Sequence, residues 1–256
     1  MENDTVKYHC NQNVGIITLN RPHRLNAINI DLLKGFMKQL DRARQDIHAQ
    51  VIILTGEGKS FCAGEDLKET ASGKNLEQWT DEAQRLQDIQ RMTMKLGKPI
   101  IAAISGYALG GGCEFAMGCD IRIAAETAVF GFPETTVGMT VTNAGTKLLP
   151  HLVGLGKAKE LVLTGDFIDV SEAERIGLVN RVVALENLMA ESMAMAKKIA
   201  GRSPLATNLS RTAIDQSMEA SFEQILELEK SHLLICAQSG TKYVEKRLKE
   251  MENNLT

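Results

Sequence analysis

Residues 106–120 read GYALGGGCEFAMGCD. An apolar run from Pro99 to Ser105 leads into them, Gly110, Gly111 and Gly112 form a triplet, and Glu114 follows Cys113. The order predicts a strand, a glycine turn and a helix start. Glycine lets the backbone take angles other residues avoid and lets another group approach closely. The first amides of a helix have no partner within it, and the helix dipole adds positive potential there. Such a turn can hold a developing oxyanion or a phosphate. Glu114 falls in the first helical turn, where a buried carboxylate costs free energy unless something uses it. The same pattern also serves as a plain tight connection, and an early glutamate is favourable in any helix. The stretch therefore does not decide alone.

A second segment has the same build. Val51-Ile52-Ile53-Leu54-Thr55 is a continuous apolar strand, expected to be covered on both faces. A small-residue loop, Gly56 to Gly64, follows, and a helix is expected to begin near Glu65-Asp66-Leu67-Lys68. Gly58-Lys59-Ser60 suggests a phosphate loop, but that motif needs glycine at position 53, where Ile53 stands. Two strand–loop–helix units side by side, at 51–70 and 99–118, bring two sets of free amides together, which an oxyanion hole requires.

The bulk properties narrow the field. A chain of 256 residues fits one large domain or two small ones, with 44% hydrophobic and 24% charged residues, ordinary for a globular protein. A net charge of −3 offers no long-range attraction for nucleic acid. No apolar run approaches the ~20 residues that span a bilayer, and MENDTVKYHC lacks a basic-then-apolar export pattern. Cys10, Cys62, Cys113, Cys119 and Cys236 are odd in number and scattered, which suits free thiols in a reducing, cytoplasmic setting. The five histidines do not cluster, no zinc spacing occurs, and a metal site is set aside.

Along the chain, residues 6–20 predict a hairpin broken at Asn11-Gln12-Asn13. Asn26 or Asn29 can cap a helix with Leu32, Leu33, Phe36 and Leu40 on one face. Residues 75–96 are helical in pattern, and Trp79, Met92 and Met94 read as core rather than pocket. Ile121–Ala124 and Ala128–Phe130 are short strands. Glu134 follows Pro133 and, taken alone, reads as an exposed turn glutamate. Helices are expected at 157–163 and 171–176, and a last strand at Val179–Val183. From about 186 the pattern is helical, over 186–200, 204–220 and 221–250. The composition shift divides the chain into a core, 1–195, and a helical region, 196–256, that must pack on the core or on another subunit. Lys242, Lys246, Arg247 and Lys249 read as a solvated basic helix end.

Together these residues resemble the enoyl-CoA hydratase/isomerase, or crotonase, family over nearly the whole length. The carriers are Phe61 to Leu67, Gly106 to Asp120, Phe130-Gly131-Phe132-Pro133-Glu134, Gly145-Thr146 with Leu149-Pro150, and Ala173 to Val179. The resemblance implies an α/β fold: a spiral of repeated ββα units with a C-terminal helical trimerisation region, assembled as a homotrimer or a hexamer of two trimers. It implies an acyl-CoA thioester substrate, with coenzyme A part of that substrate and no separate cofactor, and no nucleic-acid or membrane partner. The family's oxyanion hole matches the backbone N–H groups of Glu65 and Gly111. Its hydratases use two glutamates, matched by Glu114 on the water side and Glu134 as the acid at Cα. Ala63 matches a position whose backbone binds adenine. Lys68 resembles a CoA phosphate contact, and Tyr243 and Lys246 resemble C-terminal CoA contacts that a neighbouring subunit can supply.

The departures are specific. Val141-Thr142-Asn143-Ala144 stands where Pro-Gly-x-Gly is common, near the catalytic water of hydratases. Glu65 is acidic where alanine is frequent, and Phe132 replaces a frequent glutamine. The acyl pocket is looked for near Trp79, Phe132 and Val141. Three readings follow: a 2-enoyl-CoA hydratase, another acyl-CoA reaction on the same scaffold such as double-bond isomerisation or hydration of an unusual acyl-CoA, and a non-catalytic CoA- or RNA-binding member. Both glutamates speak against the last, and no basic stripe suits RNA. No Gly-x-Ser-x-Gly elbow supports a serine hydrolase.

Overall fold

The computed structural model describes residues 4–253. The chain divides into two compact units between Lys197 and Lys198, within the helix Leu188–Ala200.

The first unit begins with β1 (Val6–Asn11) and β2 (Val14–Leu19), the expected antiparallel hairpin. Gln12 and Asn13 take φ of 50° and 67°, the left-handed pair that a two-residue hairpin turn needs. Helix α1 (Ile30–Gln45) is opened by Asn29, whose side chain accepts the Leu32 N–H. Asn26, the other cap candidate, is buried and ties loops instead, accepting from Arg21 N–H and donating to the Glu57 and Ser60 carbonyls. Then come β3 (Val51–Gly56), α2 (Leu67–Ala71), α3 (Leu76–Met94), β4 (Ile100–Ile104), β5 (Tyr107–Leu109), α4 (Gly111–Met117), β6 (Ile121–Ala125) and β7 (Val129–Gly131). A 3-10 turn, Pro133–Val137, leads to α5 (Gly145–Val153), α6 (Leu155–Thr164), β8 (Phe167–Asp169), α7 (Val170–Arg175), β9 (Arg181–Val183) and α8 (Leu188–Ala200).

A six-stranded sheet runs in the order β1-β2-β3-β4-β6-β9 and is parallel from β2 onward. Its inner strands, VIILTG and IIAAI, are buried on both faces, as parallel strands between covering layers must be. Phe36 of α1 meets Phe115 of α4 edge-on, with centroids 5.2 Å apart. Burying each such large apolar side chain contributes about 1.5–3 kcal/mol. A second sheet, β5-β7-β8, is parallel between β5 and β7 and antiparallel between β7 and β8.

The strand before the glycine turn is not the run 99–105. That run forms β4 in the large sheet, and the three-residue β5 in the small sheet delivers the chain to Gly110. Gly106 makes the transfer at φ +54°, where a Cβ would lie 2.0 Å from the Lys59 carbonyl oxygen. A lone parallel bridge, Cys62 to Ala108, then ties the loop after β3 to β5. Cys62 N–H donates to Tyr107 O, and Leu109 N–H donates to Cys62 O. Strand β8, between the helices expected at 157–163 and 171–176, has no apolar run long enough to announce it.

The second unit contains α9 (Pro204–Ser217), α10 (Phe222–Gln238) and α11 (Lys242–Asn253). The single helix expected over 221–250 is two helices, separated at Gly240, whose φ of +93° does not continue a helix. Helix α9 packs on α10, whose N-terminus carries a reciprocal cap between Ser221 and Gln224. Among the described residues no helix is long and apolar enough to cross a membrane.

Candidate active site

One cleft of the first unit, about 830 Å³, gathers Ala63, Glu65, Gly111, Glu114 and Glu134. The two amide-bearing loops meet there because of the Cys62–Ala108 bridge. Ile28 holds the first loop, its N–H donating to Gly64 O and its carbonyl accepting from Asp66 N–H. Gly64, at φ +84°, passes so close that a Cβ would sit 2.8 Å from Leu109 O. Between these bonds, the Glu65 N–H donates to no protein acceptor among the described residues, and neither does that of Gly111, the first residue of α4. Two free amides lining one cleft form a ready site for a negative oxygen.

Glu114 is 1% exposed, and its Oε1 accepts the N–H groups of Asn143 and Gly145 at 2.7 and 3.0 Å. The departing segment 141–144 thus performs a defined task. Ala144 turns left-handed at φ +62°, directing both amides at the carboxylate. Gly145 must be glycine, since a Cβ would fall 2.6 Å from Glu114 Oε1. Burial raises the Glu114 carboxyl to about 7. The Asn143 amide opposes that rise, and the charge of Glu134 adds to it. Glu134 is not the exposed turn glutamate that its position suggests. Both of its oxygens are buried without a hydrogen-bond partner, and burial raises its carboxyl above the ordinary range. The cause is tertiary: the 3-10 turn directs the side chain back at Gly110, with Oε1 3.0 Å from where a Cβ would stand.

The titration of Glu114 has a stability consequence. The folded chain binds this proton more tightly than the unfolded chain, in which the group titrates near 4.5. Stability from this residue is therefore undiminished below about pH 4.5, falls as pH rises to about 7, and stays reduced above it by about 3 kcal/mol. Glu114→Gln removes the penalty. Its urea midpoint is expected to exceed that of the wild type at pH 8, with the gap narrowing toward pH 5 and closing below about pH 4.5. A gap independent of pH would contradict the assignment.

Other expectations fall differently. Trp79 lines the cleft rather than the core. Phe132 and Val141, looked for in the acyl pocket, are buried in the hydrophobic core, and Thr140 and Thr142 line the cleft in that region. The alternation of the 139–143 segment turns Val141 inward and the threonines out. Lys68 stands exposed on α2, outside the cleft lining. Tyr243 and Lys246 lie on α11 of the second unit, both exposed. One cluster escaped the sequence reading: Glu65, Lys74 and Glu82. Its signal was Glu82 itself, which shares the buried stripe of α3 with Leu86 and Ile89. A charge on an apolar stripe implies a partner.

A family model described as enoyl-CoA hydratase/isomerase matches residues 9–254. With the two-sheet fold and this cleft, the chain belongs to the enoyl-CoA hydratase/isomerase family. It is 40% identical to the short-chain-enoyl-CoA hydratase of Clostridium acetobutylicum, over 91% of this chain and 92% of that one. It is 38% identical to the crotonyl-CoA hydratase of Syntrophomonas wolfei, over 92% and 93%. The crystal structure of an enoyl-CoA hydratase from Bacillus anthracis superposes with a TM-score of 0.91 at 36% identity, covering 97% and 96%.

Proposed function

We propose that this chain is an enoyl-CoA hydratase, adding water across the Cα=Cβ bond of short 2-enoyl-CoA thioesters. The observation that carries the reading is the pairing of two buried glutamates with two free amides on one cleft. The names of the relatives point the same way and favour a short acyl chain. The thioester oxygen accepts the N–H groups of Glu65 and Gly111. The Glu114 carboxylate takes a proton from water as the water oxygen bonds to Cβ. The double-bond electrons move onto the thioester oxygen as an enolate, which the two amides stabilise without reorganisation. The protonated Glu134 then gives its proton to Cα, the carbonyl re-forms, and the proton on Glu114 restores the pair.

This division of labour follows the family resemblance, since burial raises both carboxyls. The Asn143 and Gly145 amides favour the ionised form of Glu114, and the backbone amide of Glu134 opposes the rise at its own carboxyl. The pair is coupled through charge, so its apparent pKa values belong to both. Ala63, which lines the cleft, and Lys68 are proposed for the CoA moiety, and Tyr243 and Lys246 for the C-terminal CoA contacts that a neighbouring subunit can supply. We further propose a homotrimer or hexamer in the cytoplasm. Exposed Phe222, Leu233 and Leu234 on α10 support assembly, and five free cysteines suit a reducing compartment.

Incubating the chain with crotonyl-CoA is expected to consume the enoyl absorbance and release 3-hydroxybutyryl-CoA. A double-bond isomer as the only product of a panel of enoyl-CoAs would move the chain to isomerisation. Binding without turnover would make it a CoA-binding member.

A further inference from the structure

The acidic cluster beside the oxyanion site has a role that rests on the hydratase reading. Glu65 brings two groups to the cleft, a free N–H and a carboxylate. Its Oε1 accepts from Thr70 Oγ1 at 2.5 Å and from Lys74 Nζ at 2.6 Å. The same Nζ donates to Glu82 Oε2 at 2.5 Å. The side chains of Lys74, Glu82 and Glu65 are only 7%, 5% and 17% exposed. Trp79 covers the ammonium, which lies 4.6 Å from its ring centroid. The adjacent Asp66 is served separately, by Arg21 and Arg24. Lys74 is therefore the cation that answers Glu65, and it is shared with Glu82, whose carboxyl is raised by burial and by Glu65 beside it.

A carboxylate on the residue whose amide must hold a negative oxygen works against that amide. At low effective dielectric such a charge is felt strongly. We propose that Lys74 is a positioning residue of the oxyanion site: it neutralises and fixes the Glu65 side chain, so that the Glu65 N–H meets a developing enolate without an opposing charge. The acid at position 65 and the lysine at 74 then work as one unit.

The test uses the full chain with Lys74→Met, Lys74→Arg and the double variant Lys74→Met/Glu65→Gln. In crotonyl-CoA hydration, Lys74→Met is expected to lose about ten- to a hundredfold in kcat with little change in KM. Lys74→Arg, which keeps the charge, recovers most of the rate, and so does the double variant, which removes the acid together with its counter-ion. A wild-type kcat in Lys74→Met, or a loss that the double variant does not recover, overturns the inference. A second measurement needs no turnover. Acetoacetyl-CoA loses a Cα proton to give an enolate with its own absorbance, and the pH at which the bound enolate appears is expected to rise in Lys74→Met and return in the double variant. An unchanged pH overturns the inference. If the wild type forms no hydroxyacyl product but the enolate shift is present, the hydratase reading fails and the role of Lys74 stands.

Discussion

Glu114→Gln and Glu134→Gln each lower kcat for crotonyl-CoA hydration by about 10²–10⁴, the range for a positioned acid or base, with KM changed only a fewfold. Neither substitution removes an oxyanion donor, so binding of the thioester survives. The two variants fail differently. Glutamine at 114 keeps an oxygen for the Asn143 and Gly145 amides but cannot take a proton from water. Glutamine at 134 keeps the shape and loses the proton destined for Cα. Exchange of the Cα proton with deuterated solvent, followed on the product CoA ester, separates them: Glu134→Gln abolishes it. Wild-type rates in either variant would remove that residue from the mechanism.

The second large effect is on folding. Gly112→Ala is expected to cost at least about 3 kcal/mol, at the severe end for one methyl group. A Cβ at 112 would lie 2.3 Å from the Cys62 carbonyl oxygen and 2.8 Å from Cys62 Cβ. Cys62 cannot yield, because its N–H is bound to Tyr107 O and its carbonyl to Leu109 N–H. Relieving the overlap would part the two arms that carry the free amides. Gly156→Ala, on α6, is the control: nothing lies within 4 Å of its Cβ, and alanine favours the helix. Urea unfolding of the pair is expected to show a large drop in midpoint for the first and none for the second. A loss below about 1 kcal/mol for Gly112→Ala would contradict this packing.

Sequence reached the chemistry of the site more readily than its walls. The glycine triplet, Glu114 and the paired strand–loop–helix units are local patterns, and the structure brings them to one cleft. The transfer between sheets was not legible, because Gly106 looks like any loop glycine until Lys59 is seen beside it. Glu134 was legible only through family resemblance, since the turn that buries it is set by contacts distant in sequence. Phe132 and Val141 were misplaced because a short irregular segment carries no period to say which side faces inward. The break at Gly240 was hidden by helix-favouring residues on both sides, whose local preference outweighs one glycine in any window.

The bridge between Cys62 and Ala108 has one more consequence. Glu65 is the third residue beyond the first, and Gly111 the third beyond the second. Two tines of equal length thus project from a common crossbar, and neighbouring strands stand about 4.8 Å apart in any protein. The spacing at the base of the two arms is therefore inherited from the most invariant dimension in protein architecture. Surrounding walls can drift to suit new acyl groups while the fork keeps its gauge.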